Sequence, residues 1–258
     1  MINYRSAVMG VVKMDGNELS LVEHFKSFFQ VLPADSGRLR EQVFRIRYDV
    51  YCREFGYEKE EDCPGGMERD DYDDQSVHCL IVHRPSGQGA GCIRVVPPSQ
   101  DGRTAAQIPM EQFCGHSLNH PELHPELLPR DNLAEVSRLA VHTQFRRRKG
   151  ESESPIGIAI AETITEEQRR TFPLLGLALF CAGTCLMGAM QREHAFVMME
   201  RRLARMLQSS GFPFVQVGEP MEYHGPRAAY HVTVQAVLDS MRPDIRELHN
   251  FVHESLMN

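Results

Sequence analysis

Residues 76–97 read "SVHCLIVHRPSGQGAGCIRVVP", and this stretch gives the first indication of the fold. Two apolar runs rich in β-branched residues flank the turn-forming segment "RPSGQG", a pattern that predicts a β-hairpin. Further along the chain, "LAEVSRLAVH", "HAFVMME", "FPFVQVG" and "AAYHVTV" predict four more strands. A sheet of this size needs helices to cover its apolar faces.

Helical patterns lie before, between and after these strands. "NELSLVEHFKSFFQVLP" predicts a short amphipathic helix, and Asp35 or Ser36 is placed to cap a second helix with an apolar stripe, so that helices occupy about 17–56. "RRLARMLQSSG" predicts another helix, and a last one covers about 236–256. The element order predicts a mixed α/β sheet with helices on both faces.

One segment, "FPLLGLALFCAGTCLMGAM" (Phe172–Met190), carries no charge and approaches the length that spans a bilayer. A helix that is apolar on all sides is either a membrane span or a buried core helix. Because strand patterns follow at once and need a cover, we predict a core helix. Peripheral contact with a membrane stays open.

Composition excludes several classes of function. The net charge of −7 and a pI near 5.9 argue against nucleic-acid binding. Seven cysteines without a CxxC pair, and no signal peptide at the start, predict reduced thiols in a cytoplasmic protein. His116, His120 and His124 recur at every fourth position, but Pro121 and Pro125 interrupt them, so we expect a loop and no metal.

The chain is interpreted as a single domain over 1–258. The polar, Pro- and His-rich stretch 97–131 is interpreted as an insertion, because no new class of composition begins after it.

The residues before the hairpin are strongly acidic, with nine acidic against two basic residues between Glu58 and Asp74. A block of like charge is usually a solvated loop. Two alternatives stay open: an ion network with buried arginines, or a site that binds a cationic acceptor. Glu58, Glu60, Glu61 and Asp62 are interpreted as solvated.

Three clusters occur in order along the chain: "RIRYDVYCREFGY", "ERDDYD" followed by "GCIRVVP", and "EVSRLAV". This set resembles the acyl-homoserine-lactone synthases and their relatives, the N-acyl amino acid synthases. The pattern is most similar to the exosortase (PEP-CTERM) system-associated acyltransferases within that family. The resemblance implies the GCN5-related N-acyltransferase (GNAT) fold, with a mostly antiparallel central sheet, and an acyltransferase activity.

The resemblance implies a role for each residue that stands at a motif position. A proposed acceptor site or ion network comprises Arg47, Glu68, Asp70, Asp73 and Arg94. Glu135 and Arg138 stand in the catalytic E-x-S-R motif. Two positions depart from the lactone synthases: Tyr57 replaces their usual tryptophan, and the remainder of the chain is longer than in a typical member. The longer remainder favours an acceptor other than S-adenosylmethionine.

Acyl transfer to an amine needs a base and a polarised carbonyl. Glu135 is the expected base, and backbone N–H groups near Leu139, Ala140 and Val141 are expected to bind the donor carbonyl. No cysteine nucleophile is required. Cys79 and Cys92, both in predicted strands, are interpreted as small buried hydrophobes.

The donor is expected to be an acyl carrier protein thioester of a long-chain fatty acyl group, with acyl-CoA as the alternative donor and no bound cofactor. The basic run Arg146, Arg147, Arg148 and Lys149 suits an acidic carrier protein, although a solvated basic turn is the other interpretation. The acceptor would be the amine of an amino acid or similar small molecule. The remaining alternatives are a lactone-forming synthase that uses S-adenosylmethionine and a non-catalytic acyl-binding regulator.

Overall fold

The computed structural model describes residues 12–14, 17–98, 107–146 and 173–258. The strands are β1 (Val12–Met14), β2 (Asn17–Leu19), β3 (Phe29–Pro33), β4 (Val77–His83), β5 (Gln88–Val96), β6 (Leu133–Val141), β7 (His194–Met199), β8 (Val215–Gln216), β9 (Met221–Glu222) and β10 (Pro226–Thr233). The central sheet has eight strands: seven follow the order β3-β4-β5-β6-β7-β10-β8, and β9 pairs with β10. All neighbouring pairs in this sheet are antiparallel except β6 and β7, which are parallel. β1 and β2 form a separate antiparallel pair.

Helices cover both faces of the sheet, so the predicted mixed α/β class is confirmed. The helices are α1 (Leu21–Phe28), α2 (Gly37–Arg47), α3 (Pro109–Cys114), α4 (Pro173–Ala189), α5 (Arg201–Ser209), α6 (Val234–Ser240) and α7 (Pro243–Met257). A π-helical turn, Tyr48–Glu54, extends α2. α2 packs on one face of β4 and β5, while α4 and α7 lie on the opposite face.

The predicted hairpin is confirmed. β4 pairs with β5 from Val77 opposite Val95 to His83 opposite Gln88. The cap of α2 is Ser36, whose hydroxyl accepts a hydrogen bond from the Leu39 N–H at 3.4 Å.

Three of the predicted elements are corrected. The first helix spans only Leu21–Phe28, because Asn17–Leu19 form β2 and Phe29 begins β3, where it pairs with His83 at the edge of the sheet. The predicted strand "FPFVQVG" keeps only Val215–Gln216 as strand. The C-terminal helix is two helices, because Pro243 begins a new one after α6 ends at Ser240.

The apolar segment is the buried helix α4, as predicted. Its side chains contact β4, β5 and β6 from one face, and Leu175, Ala178 and Leu179 are fully buried. Within the described parts of the chain, no helix combines the length and the apolar character that crossing a bilayer requires. The interpretation of 1–258 as one domain includes residues outside the described ranges and stays a prediction.

Candidate functional site

A cleft opens where two parallel strands separate. β6 pairs with β7 only from Leu133 opposite His194 to Glu135 opposite Phe196, although β6 stays paired with β5 as far as Val141. Beyond Glu135 the space between the strands forms an open cleft of about 880 Å³ including its mouth. The separation leaves one edge of β6 accessible to a ligand.

A β-bulge lies at the edge of this cleft. Ile93 on β5 is opposite two residues of β6, Arg138 and Leu139, and Arg138 has a φ of 51°. The left-handed conformation costs a residue with a Cβ on the order of 1 kcal/mol. Carboxylates on the Arg138 guanidinium offset that cost: Glu68 Oε1 lies 3.1 Å from Nε, and Asp70 Oδ2 lies 3.1 Å from Nη2. The bulge and these ion pairs hold Arg138 at the cleft.

Behind Arg138, the predicted motif residues form one buried ion network. Arg47 donates to both oxygens of Asp73, at 2.6 and 3.0 Å, and its Nε donates to Glu68. Arg94 donates to Asp70 at 2.5 Å and to Asp73 at 2.8 Å. Burial alone would raise the pKa of Asp73, but the hydrogen bonds and charges of the arginines hold that pKa below its usual range.

This network lies outside the cleft. Arg47, Glu68, Asp73 and Arg94 are at most 3% exposed and do not line it, and neither does Asp70. The acidic segment is therefore a structural support for Arg138 in this structure, and the alternative of a solvated loop is wrong for these residues. Their proposed contact with an acceptor stays a prediction.

Glu58, by contrast, was expected to be solvated and lines the cleft. The chain turns at Gly56, whose φ is 62°, and this brings Tyr57 and Glu58 to the cleft wall. Glu58 Oε1 lies 3.8 Å from the Arg138 guanidinium, and the Glu58 side chain is 39% exposed. Partial burial raises the pKa of Glu58, against the opposing charge of Arg138. The acidic composition of the segment concealed this difference in position.

Glu135 lines the cleft at the point where the strands separate. The residue is 6% exposed, and one carboxylate oxygen accepts a hydrogen bond from the Met110 N–H at 2.6 Å. Burial raises the pKa of Glu135 to about 7, while the Met110 N–H and the charges of Arg94 and Arg138 partly oppose this rise. A carboxylate with a pKa near the working pH can accept a proton from a substrate and release it again.

The cleft wall includes residues that sequence reasoning missed. The turn between β9 and β10 contributes Tyr223 and His224, and β10 contributes Arg227. The His224 ring stacks on Tyr57 with 4.6 Å between centroids, and the Arg227 guanidinium lies 5.4 Å from the Tyr57 ring. The segment "EYHGPR" carries a turn signal at Gly225 but no motif that links it to "FGYEK" more than 160 residues earlier.

The inner part of the cleft is apolar. Its lining includes Ile93, Phe180, Val197 and Leu203. A second, largely apolar cavity of about 340 Å³, a volume that includes space open to solvent, shares Val136, Phe180 and Val197 with the cleft. The two cavities together can accept a polar head group and an apolar chain.

The predicted donor residues divide into four groups. Leu139 lines the cleft, whereas Ala140 and Val141 are buried beside β5 and lie outside the lining. Arg146 was expected to be an exposed charge and is fully buried, where it contacts Glu54 and lies over Phe55 at 5.2 Å. Arg147, Arg148 and Lys149 lie outside the described residues.

Neither cysteine in the central hairpin lines the cleft. Cys79 and Cys92 are completely buried, and burial raises the pKa of the Cys92 thiol to about 12, so the thiolate is disfavoured. Among residues 12–14, 17–98, 107–146 and 173–258, no three His, Cys, Asp or Glu side chains are arranged to hold a metal ion. The expected absence of a metal from the whole protein stays a prediction.

Residues 46–153 match the family model described as "Acetyltransferase (GNAT) domain". The match assigns an acyltransferase domain to the segment that holds the ion network, β6 and Glu135. No curated protein sequence matches the chain.

Solved structures share the fold at low sequence identity. TofI in a ternary complex with an inhibitor and MTA has 18% identity and a TM-score of 0.56, over 84% of this chain and 99% of that chain. The CoA-dependent acyl-homoserine lactone synthase BjaI, with SAM and isopentyl-CoA, has 20% identity and a TM-score of 0.55, over 87% and 89%. FeeM, an N-acyl amino acid synthase from uncultured soil microbes, has 14% identity and a TM-score of 0.50, over 83% and 94%. The predicted GNAT fold is therefore confirmed, while the link to an exosortase system stays a prediction.

Proposed function

We propose that the protein is an N-acyltransferase that moves a fatty acyl group from a thioester of acyl carrier protein to the amine of an amino acid or similar small acceptor. The observation that carries this proposal is Glu135, a buried carboxylate with a pKa of about 7 at the point where β6 and β7 separate. An amine that enters the cleft beside this carboxylate meets a base matched to neutral pH.

The reaction forms one bond and breaks another. The amine nitrogen attacks the thioester carbonyl carbon, and Glu135 takes the proton that the nitrogen loses. The carbonyl oxygen becomes an oxyanion, which a backbone N–H group can stabilise. Among the three residues expected to supply that group, Leu139, Ala140 and Val141, Leu139 lines the cleft. The C–S bond then breaks, and the proton held by Glu135 passes to the sulfur that leaves.

The apolar cavities support a fatty acyl donor. Val136, Phe180 and Val197 line both the cleft and the second cavity, so an acyl chain in this region would contact apolar side chains. The donor's carrier is inferred from the basic run at 146–149, of which Arg147, Arg148 and Lys149 remain as candidates for contact with acyl carrier protein. Acyl-CoA is the alternative donor, and BjaI, which shares the fold, is a CoA-dependent synthase.

The fold favours one alternative acceptor. TofI and BjaI have the same fold, and BjaI is an acyl-homoserine lactone synthase whose structure contains SAM. The lactone-synthase alternative would use S-adenosylmethionine as the amine. Against it, Tyr57 occupies the usual tryptophan position, and its ring stacks on His224 at the cleft wall.

The test uses purified protein with acyl thioesters from octanoyl to palmitoyl, each on acyl carrier protein and on CoA, together with an amine mixture. Mass spectrometry is expected to detect an N-acyl amide whose formation requires Glu135. A lactone formed only with S-adenosylmethionine would establish the alternative. A thioester that binds and is never consumed would leave the acyl-binding regulator as the function.

A further inference from the structure

Arg227 differs from Arg138, the other arginine among the described lining residues, in having no carboxylate nearby. Arg138 has three carboxylates within 4 Å, from Glu58, Glu68 and Asp70. In the part of the chain that the structure describes, no carboxylate lies within 4 Å of the Arg227 guanidinium. Its Nε is buried and has no hydrogen-bond partner there.

The surroundings of Arg227 fix its position without neutralising it. The guanidinium lies over the Tyr57 ring at 5.4 Å, and Tyr57 also stacks on Phe55 at 5.2 Å and on His224 at 4.6 Å. Contact with Tyr57 limits the movement of the guanidinium, and an aromatic face attracts a cation more weakly than a carboxylate does.

A partly buried guanidinium without an anion is costly, and a planar donor fork matches the two oxygens of a carboxylate. Arg138 cannot supply this site, because its own carboxylates already neutralise it. Among the described lining residues, Arg227 is therefore the arginine that can pair with an anion in the cleft.

We propose that Arg227 binds the carboxylate of the acceptor. The acceptor is then an amine that also carries a carboxylate. This inference rests on the proposed N-acyltransferase function for the amine. It adds an anion site on β10 that selects an amino acid over the corresponding amine or amide. Glu135 and Arg227 line the same cleft, and the proposal places the acceptor amine towards Glu135 and the acceptor carboxylate towards Arg227.

The experiment compares matched acceptors. The proteinogenic amino acids and their carboxamides are offered as two mixtures to wild type, Arg227→Gln and Arg227→Lys, with Arg202→Gln as the control. Arg202 is an exposed arginine on α5 that does not line the cleft. Thermal unfolding of each variant verifies that it is folded.

For wild type, the carboxylate of each accepted pair is expected to be the better substrate. Arg227→Gln is expected to lower kcat/KM for the carboxylate about 10- to 100-fold, mainly through KM, because a charge-assisted hydrogen bond is lost. The carboxamide is expected to keep its rate in Arg227→Gln, and Arg202→Gln to behave as wild type. Arg227→Lys should retain part of the preference, because the charge remains and the fork does not. Equal losses for carboxylate and carboxamide would overturn the proposal.

The donor is the other source of an anion, because the pantetheine arm carries a phosphate. Each variant is therefore assayed with acyl carrier protein and with an acyl-N-acetylcysteamine thioester, which has no phosphate. A loss confined to the phosphate-bearing donor would move the anion site to the donor and refute the acceptor site.

Failure of the transferase function gives a different result. If no amine is acylated, ligand-observed NMR with the amino acid mixture still tests the site by direct binding. Binding to wild type that disappears in Arg227→Gln would support the anion site without the reaction. Absence of binding to wild type would refute it.

Discussion

Replacing Glu135 by glutamine is expected to slow turnover and to stabilise the fold at neutral and alkaline pH. The two side chains have nearly the same shape, and the glutamine carbonyl can accept the hydrogen bond that Met110 N–H donates at 2.6 Å. Glutamine cannot take a proton from the amine, so the general-base contribution, on the order of 100- to 10,000-fold, is lost.

The stability change follows from the pKa. Burial raises the pKa of Glu135 from an ordinary 4.5 to about 7, so the folded state holds a proton that the unfolded state releases between these values. The free energy of unfolding of wild type therefore falls, relative to the variant, as pH rises from 4.5 to about 7. At about 1.36 kcal/mol per pH unit, the difference approaches about 3 kcal/mol above pH 7 and disappears below pH 4.5.

Urea unfolding of both proteins from pH 4 to 9 measures this difference directly. The titration of all other groups cancels between them, and Glu254→Gln, at an exposed position on α7, is the matched control. In kinetic assays, wild-type kcat/KM should rise about tenfold per pH unit below pH 7 and then level off. Deprotonation of the acceptor amine adds a second pH dependence, which is the same for wild type and variant. A pH-independent stability difference together with unchanged rates would refute both the buried, raised pKa and the role as base.

Three further predictions concern the network, the apolar cavity and the basic run. Asp73→Asn should lower the free energy of unfolding by about 3 to 5 kcal/mol, because two buried guanidinium groups lose a shared carboxylate. Asp74→Asn, at a side chain 88% exposed, is the control, and equal urea midpoints for Asp73→Asn and wild type would contradict the prediction. Gly183→Leu should shift the product to shorter acyl chains by mass spectrometry, because Gly183 lines the second cavity and an added Cβ would lie 3.3 Å from Val136 Cγ1. Gly188→Leu on the same helix, where an added Cβ would meet no neighbouring atom within 4 Å, should leave the chain length unchanged. An unaltered product from Gly183→Leu would place the acyl chain elsewhere. Replacing Arg147, Arg148 and Lys149 by alanine should slow the reaction with acyl carrier protein, through slower association, more than the reaction with an acyl-CoA of the same chain length. Added salt should reproduce this effect in wild type. A wild type that prefers acyl-CoA would refute the carrier-protein donor.

The sequence alone determined the elements whose signal is local. The hairpin Val77–Val96, strand β6 and the apolar helix α4 were predicted because hydrophobic periodicity and turn residues specify each of them over a short span. The motif residues that meet in the ion network were also identified from sequence, through their spacing in the resemblance. For Glu135, the sequence predicted a base, and the structure adds the burial and the Met110 N–H on which its pKa depends.

Tertiary structure decided the features that depend on distant partners. Phe29 begins a strand because His83 lies beside it, although its local pattern continues the helix. Glu58 and Arg227 line one cleft although they are far apart in the chain, while Arg146, which its sequence places in an exposed basic run, is buried against Phe55. Strand pairing and burial depend on residues that are far apart in the chain. The pairing and the pKa of a charged side chain depend on its neighbours in the fold, and composition and spacing do not specify those neighbours.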